Sequence, residues 1–361
     1  MSRPALIGPV LIGTDEMAGP GPLERVMDAL ADAFADLTAG RTRSPSRTVI
    51  EHGSGRQLVV GPAIWERRGL ASVKITTLTP GNPGRGLPLI HGVVVLTDTE
   101  TGQVTALLDG GELTAVRTGA VAGLATRLCA APEAADLAVI GAGVQARALV
   151  RAMLTVRPIR SVRVFSRGRA SAERFAEWVR TAAGGPGGPG GLRDPDGPAA
   201  PGLPVRVTVS DTVESAVSGA GIICTATSTS GRVPLVAADW VLPGAHLNVI
   251  GGTHEDAIEV DPALLAVSFV VVEQRAAALA EAGEVRAALA AGLISTDQLQ
   301  ELGSLVTGAT RPEGATGPEG ATGPDGAVAR VRRTSVFRSV GMAIEDTAAA
   351  AALREALNAA G

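Results

Sequence analysis

The stretch that most constrains this chain runs from Ala134 to Arg151 and reads AADLAVIGAGVQARALVR. An apolar run, Leu137 to Ile140, breaks into Gly141-Ala142-Gly143-Val144-Gln145-Ala146 and then into an Ala/Leu/Val segment suited to a helix. That order is the strand, tight turn and helix of a dinucleotide fold. Gly141 turns the chain sharply, Gly143 removes the side chain where a pyrophosphate would approach the backbone, and Ala146 lets helix pack on strand. Taken alone the pattern is weak in a chain with 46 glycines. Its context strengthens it, because a second strand, Ser161 to Ser166, follows at the spacing of a βαβ unit. An acidic residue at the end of that strand would bind a ribose 2′-hydroxyl. Ser166-Arg167-Gly168-Arg169 stands there instead, and its cations suit a 2′-phosphate, so NADPH is expected rather than NADH.

With 361 residues, 45% hydrophobic and 19% charged, the chain can bury a large core, and two domains are expected. A net charge of -4 and an aromatic content of 2% supply neither the basic surface nor the stacking platforms of a nucleic-acid binder, so no nucleic-acid partner is expected. Cys129 and Cys224 lie in apolar surroundings without metal-ligand spacing, which reads as two buried thiols, no disulfide and no metal. Neither a signal-peptide pattern nor a membrane-length apolar run occurs, leaving no membrane partner and a cytoplasmic location as the expectation.

One compositional fact singles out a residue. The chain has 31 arginines and a single lysine, Lys74, set in the apolar run Val73-Lys74-Ile75. A charge in such a run needs a partner or a job, and a lysine can lose its proton where a guanidinium cannot. The plain alternative is a lysine left by chance on a solvated face.

Along the chain, Leu23 to Leu37 carries apolar residues at helical spacing. Strands are expected at Arg47 to Ile50, Gln57 to Val60, Ser72 to Leu78, Leu89 to Leu96 and Val104 to Leu108, making the first 110 residues α+β with a mostly antiparallel sheet. A strand then ends in Asp109-Gly110 and a small-residue helix begins near Leu113, with Arg117 placed to fork onto a carboxylate or, alternatively, to snorkel at the surface. After the βαβ start, Val205 to Val209 and Gly221 to Thr225 continue the parallel pattern. Thr225-Ala226-Thr227-Ser228 closes the latter, where open α/β sheets place ligand contacts. Leu247 to Ile250 ends in Gly251-Gly252-Thr253-His254-Glu255-Asp256, which reads equally as a source of a proton donor and as a solvated turn. Gly184 to Pro204 and Glu313 to Gly326 are Gly/Pro-rich loops unable to bury a core. A strand at Thr334 to Phe337 and an alanine-rich helix from Val340 to Leu357 close the chain.

These pieces resemble the ornithine cyclodeaminase and mu-crystallin family. The matching stretches are Ser46-Arg47-Thr48-Val49, Pro62-Ala63, Val73-Lys74, Leu107 to Ala120 (LLDGGELTAVRTGA), Ile140 to Ala146, Thr225 to Ser228 and Ser335 to Asp346 (SVFRSVGMAIED). The resemblance implies a Rossmann domain, residues 129–328, inserted into an α+β substrate and dimerisation domain formed by residues 1–128 and 329–361, and a homodimer. It makes Arg47, Lys74 and Arg117 the cations that hold a substrate carboxylate, with Lys74 or Asp256 handling a proton. The cofactor contacts it implies are His91, Thr118, Gly141, Gly143, Val144, Gln145, Ala146, Ser166, Arg167, Thr225, Ala226, Thr227, Val249, Gly251 and Ser339. Cyclodeaminases of the family place an aspartate directly after the glycine pair and a lysine four residues on. Thr253 and Ala257 stand there, while Asp256 and Glu259 resemble the reductase branch. The expected activity is NADPH-dependent reduction of a C=N bond beside a carboxylate, on a cyclic ketimine or an imine of a 2-oxo acid. The rivals are an ammonia-releasing cyclodeaminase with bound NAD, an amino-acid dehydrogenase and a non-catalytic ligand binder.

Overall fold

The computed structural model describes residues 8–17, 20–184, 205–252, 256–310 and 333–360. Most of both Gly/Pro-rich tracts lies outside the described residues, as do Thr253, His254 and Glu255. The chain forms two compact units, one of Met1–Arg117 with Gly341–Gly361, the other of Thr118–Val340.

The first unit opens with β1 (Val10–Ile12), α1 (Thr14–Met17) and α2 (Pro20–Thr38). It continues through β2 (Thr42–Arg43), β3 (Thr48–His52), β4 (Arg56–Trp65), β5 (Leu70–Leu78), β6 (Ile90–Asp98) and β7 (Val104–Asp109) to the start of α3 (Gly110–Cys129). The seven strands form one sheet in the order β1-β7-β6-β5-β4-β2, with β3 also on β4. Only β1 runs parallel to its neighbour; the rest is antiparallel. Along β4 the side chains alternate as a half-buried strand must: Ala63 and Trp65 are buried, Pro62 and Ile64 exposed. The buried face carries α11 (Ala343–Ala360), whose run Ala348–Ala351 is essentially without exposed surface. Short side chains let this helix lie close to the strands. In turn α2 packs on α11 through Val26, Met27, Leu30 and Phe34, at helical spacing.

The second unit contains β8 (Asp136–Ile140), α4 (Val144–Val156), β9 (Ser161–Phe165), α5 (Arg169–Gly184), β10 (Arg206–Val209), α6 (Val213–Val217), β11 (Ile222–Thr225) and β12 (His246–Val249). It is completed by α7 (Pro262–Val267), β13 (Phe269–Val272), α8 (Arg275–Glu281), α9 (Gly283–Ala290), β14 (Leu299–Glu301), α10 (Leu302–Val306) and β15 (Ser335–Arg338). Eight strands make a wholly parallel sheet in the order β10-β9-β8-β11-β12-β15-β13-β14. From β8 the chain builds outward through β9 and β10, then crosses back to add β11 and β12 on the other side. That reversal is the point at which open α/β sheets bind ligands, beyond the strands' C-terminal ends. The fold is therefore the expected one, a Rossmann-type parallel sheet in the middle of the chain and an α+β unit formed by both ends.

Candidate functional site

The glycine turn stands at the reversal point. Gly141 has φ of 124°, and a Cβ on it would lie 2.4 Å from the Ala226 carbonyl oxygen, so only glycine fits. Gly143 is the N-cap of α4, makes no side-chain cap and has open space where a Cβ would stand. Val144 is 65% exposed. The first N–H groups of a 13-residue helix therefore have no side-chain cap, beside open space at Gly143. Gln145 is half-buried and Ala146 fully buried against the sheet. The turn fits the pyrophosphate of a dinucleotide.

At the end of β9, Ser166 is half-buried and Arg167 exposed. The neighbouring Arg169 is engaged by Glu173 and Asp211. Arg167 forms no ion pair among the described residues, which leaves it the better candidate for a phosphate.

Thr225, Thr227 and Gly251 are gathered by one buried carboxylate, Glu259. It accepts hydrogen bonds from Thr225 Oγ1 (2.6 Å), Thr227 N (2.8 Å), Thr227 Oγ1 (2.7 Å) and Gly251 N (2.8 Å). A Cβ on Gly251 would strike this carboxylate at 2.3 Å. Burial pushes the Glu259 pKa up, while the threonine donors and the Arg338 guanidinium pull against it. Beneath it, Glu284 accepts from the Glu259 N–H (2.6 Å) and from Arg338 Nε (2.8 Å), and Arg338 donates to the carbonyls of Val249, Ser339 and Gly252. Val249 itself is buried on β12, and Ser339 is buried with its hydroxyl donating to Glu273 at 2.5 Å. The hydroxyls of Thr225, Thr227 and Ser339 thus donate into carboxylates, which leaves donation to a ligand to those backbone N–H groups of their loops that are not already engaged. Asp256 is exposed and ion-paired to Arg232 at 2.8 Å. Glu273, Glu284 and Arg338 are absent from the expected site although they fix its loops. A hollow of about 390 Å³ lined by Ser268, Phe269 and Arg333 lies at the N-terminal ends of β13 and β15, far along the strands from these loops.

In the first unit, Lys74 sits at the middle of β5, opposite Gly61 on β4 and Val94 on β6. It shares a sheet face with Ser72, whose hydroxyl lies 2.7 Å from Thr347 of α11. Lys74 Nζ is 2.8 Å from Asp346, Arg117 Nη1 is 2.9 Å from Glu345, and Arg117 Nε is 3.5 Å from Asp346. Lys74 keeps 16% of its side chain exposed, Arg117 10%, and the two carboxylates almost none. Burial holds the Lys74 pKa below the ordinary lysine range; Asp346 and Glu345 oppose that and Arg117 adds to it. Glu345 also accepts from the Met342 N–H at 2.7 Å, which ties it to the helix start. Gly341 just ahead has φ of 76°, and a Cβ there would stand 2.9 Å from Arg117 Nη1. Lys74 and Arg117 are thus brought together, and neither is the solvated surface cation that the plain alternatives describe. Arg47 is exposed, one residue before Thr48, at the level of Gly61 and hence of Lys74 across the sheet. His91 pairs with Thr77 and so projects from the opposite face to Lys74. Thr118 is buried on α3 one residue beyond Arg117.

The glycine turn at the reversal of a parallel sheet defines the class: an α/β protein of the dinucleotide-binding kind. A profile of the Ornithine cyclodeaminase/mu-crystallin family matches residues 16–185 and 199–361, and the chain belongs to that family. It is similar to the ketimine reductase mu-crystallin of Mus musculus, with 32% identity over 330 residues covering 91% of this chain and 88% of the relative. A Delta(1)-pyrroline-2-carboxylate reductase of Bacillus cereus is 29% identical over 349 residues, 96% of each chain. Among solved structures, Thermococcus litoralis Delta(1)-pyrroline-2-carboxylate reductase in complex with NADH and L-proline superposes with a TM-score of 0.79 at 28% identity, covering 97% of this chain and 98% of that one.

Proposed function

We propose that this NAD(P)H-dependent oxidoreductase of carbon–nitrogen bonds reduces a C=N bond adjacent to a carboxylate, in a cyclic ketimine or an imine of a 2-oxo acid, with NADPH as its preferred reductant. The observation that carries the reading is the chain's single lysine, held in a nearly buried cluster with Arg117, Glu345 and Asp346. When bound, the cofactor supplies the hydride that reduces the imine carbon. In this reading Arg47 and Arg117 orient the substrate carboxylate, which fixes the reacting carbon beside it. As the imine carbon is reduced, the C=N π pair moves to nitrogen and takes a proton from the Lys74 ammonium to form the N–H bond, and Lys74 regains a proton from water. Asp256, exposed at a loop end, is the other group able to pass that proton. The second unit serves the cofactor and the first the substrate. Similarity to the reductases that bind or act on such compounds supports this class, and Arg167 supports NADPH over NADH.

We further read the active form as a homodimer and its location as the cytoplasm. The sheet face turned away from α11 supports the former: it shows Ile50, Ile64 and Ile75 to solvent, an apolar patch that a monomer rarely leaves open. Among the described residues no helix is long and apolar enough to cross a membrane.

The test is NADPH oxidation, followed by absorbance, against cyclic ketimine carboxylates and pairs of 2-oxo acid with amine, with ammonia release measured in parallel. Lys74→Met should lower kcat by about 10²-fold or more, the scale of a lost proton donor, while NADPH still binds. Turnover within a few-fold of wild type would remove Lys74 from this role. Ammonia release without net NADPH consumption would instead identify a cyclodeaminase.

A further inference from the structure

The two carboxylates that answer Lys74 and Arg117 are adjacent in sequence, yet they make different contacts. Glu345 uses one oxygen on Arg117 and the other on the Met342 N–H, so it fixes a guanidinium to the first turn of α11. Asp346 touches both cations, Lys74 Nζ at 2.8 Å through one oxygen and Arg117 Nε at 3.5 Å through the other. On the adjoining strands β4 presents Gly61 and β6 presents Val94 at the level of Lys74, and the exposed Arg47 stands at that level beyond Gly61. The charges around Lys74 are therefore Asp346 and Glu345 from α11, Arg117 from α3 and, one strand further, Arg47; among the described residues only Asp346 contacts its ammonium.

We propose that Asp346 is a positioning residue that decides whether Lys74 carries a proton at working pH, acting through the ammonium it contacts rather than by touching substrate. Two effects in the cluster favour the neutral amine, removal of Lys74 from water and the nearby guanidinium. One contact restores the ammonium, and it comes from Asp346. A lysine balanced in this way can give up its proton and recover it, whereas a lysine lacking its carboxylate would stay an amine with nothing to donate. Glu345 adds to the balance from farther off.

This inference rests on Lys74 handling the proton, and its test does not depend on turnover. Because the chain has one lysine, protein made with lysine carrying ¹³C at the ε-carbon gives a single side-chain resonance, whose shift follows the Lys74 charge as pH changes. The wild type should titrate below the ordinary lysine value of 10.5. Asp346→Asn should move that midpoint down by one pH unit or more, about a tenfold or greater loss of proton affinity, and shift the alkaline limb of the kcat profile the same way. Asp346→Glu should bring it back toward wild type. If Asp346 served packing alone, the asparagine variant would loosen the cluster, admit water to Lys74 and move the midpoint up; an upward or unmoved midpoint overturns the proposal. Should Asp346→Asn not fold, Glu345→Gln asks the same question, with a smaller downward shift expected and an upward or unmoved one again decisive against it. A failed imine screen would overturn the reductase reading while leaving this titration interpretable, and an unmoved resonance would overturn this inference while leaving the reductase reading intact.

Discussion

Single residues divide into those whose type betrays their job and those whose job depends on neighbours. Arg167 is of the first kind. It is the exposed cation after β9 left over once Arg169 is taken by Glu173 and Asp211. Replacing Arg167 with Ala should weaken NADPH binding about ten- to a hundredfold, the worth of one or two charge-assisted hydrogen bonds, and leave NADH binding nearly as it was. Titrating each nucleotide by calorimetry checks this, and equal losses for both would refute the assignment. Lys74 was legible because a charge inside an apolar run demands an explanation. The same reasoning applied to Val270-Val271-Val272-Glu273 and Val336-Phe337-Arg338 would have found two more buried charges that hold the loops after β12 and β15. Glu284 carries no such mark. It sits in an alanine-rich helix like any surface glutamate, and its burial follows only from α9 packing on α7.

At the scale of elements, the strands of the first unit were legible by alternation but not by extent. Read from sequence, the second strand spans Gln57 to Val60. In the fold β4 runs on to Trp65. Its pairing with β3 ends at Val60 and its pairing with β2 starts at Ile64, so Pro62 falls where that side has no partner and its missing N–H costs nothing there. Helix α3 likewise begins at Gly110, ahead of the expected Leu113, because Asp109 accepts the Glu112 N–H at 2.8 Å and so caps the first turn. The far end of α3 depends on Arg157, whose guanidinium donates to the carbonyls of Thr126, Arg127, Ala130 and Ala131. Carbonyls at a helix terminus run short of backbone donors, although those of Thr126 and Ala131 also accept the Ala130 and Ala134 N–H groups. Arg157→Ala should cost about 1–3 kcal/mol, seen as an earlier urea midpoint and faster amide exchange in the last turn of α3. An unchanged midpoint would mean that water replaces the guanidinium without loss.

For the whole molecule, acid should be a sharper stress than base. His246 is fully buried in the parallel sheet beside Ser335, and burial pushes its pKa down from 6.5 to about 3, so it is neutral when folded. Between those two values the unfolded chain carries a proton there that the folded chain does not. The stability His246 contributes is complete above pH 6.5 and is lost as pH falls toward 3, with a slope from this group of about 1.4 kcal/mol per pH unit. His246→Gln should flatten the dependence of unfolding free energy on pH over that window. An equal slope in wild type and variant would place the acid sensitivity elsewhere.

The pairing of Arg117 with Glu345 also has a temporal meaning, since 228 residues separate the two. At a synthesis rate of about 5–20 residues per second, Arg117 waits roughly ten to forty-five seconds on the ribosome before its counter-charge exists. The second unit, continuous in sequence, can close during that interval. Until α11 is made, the half-made sheet has an open apolar face and no helix over the other, and it is α11 that ends this exposure.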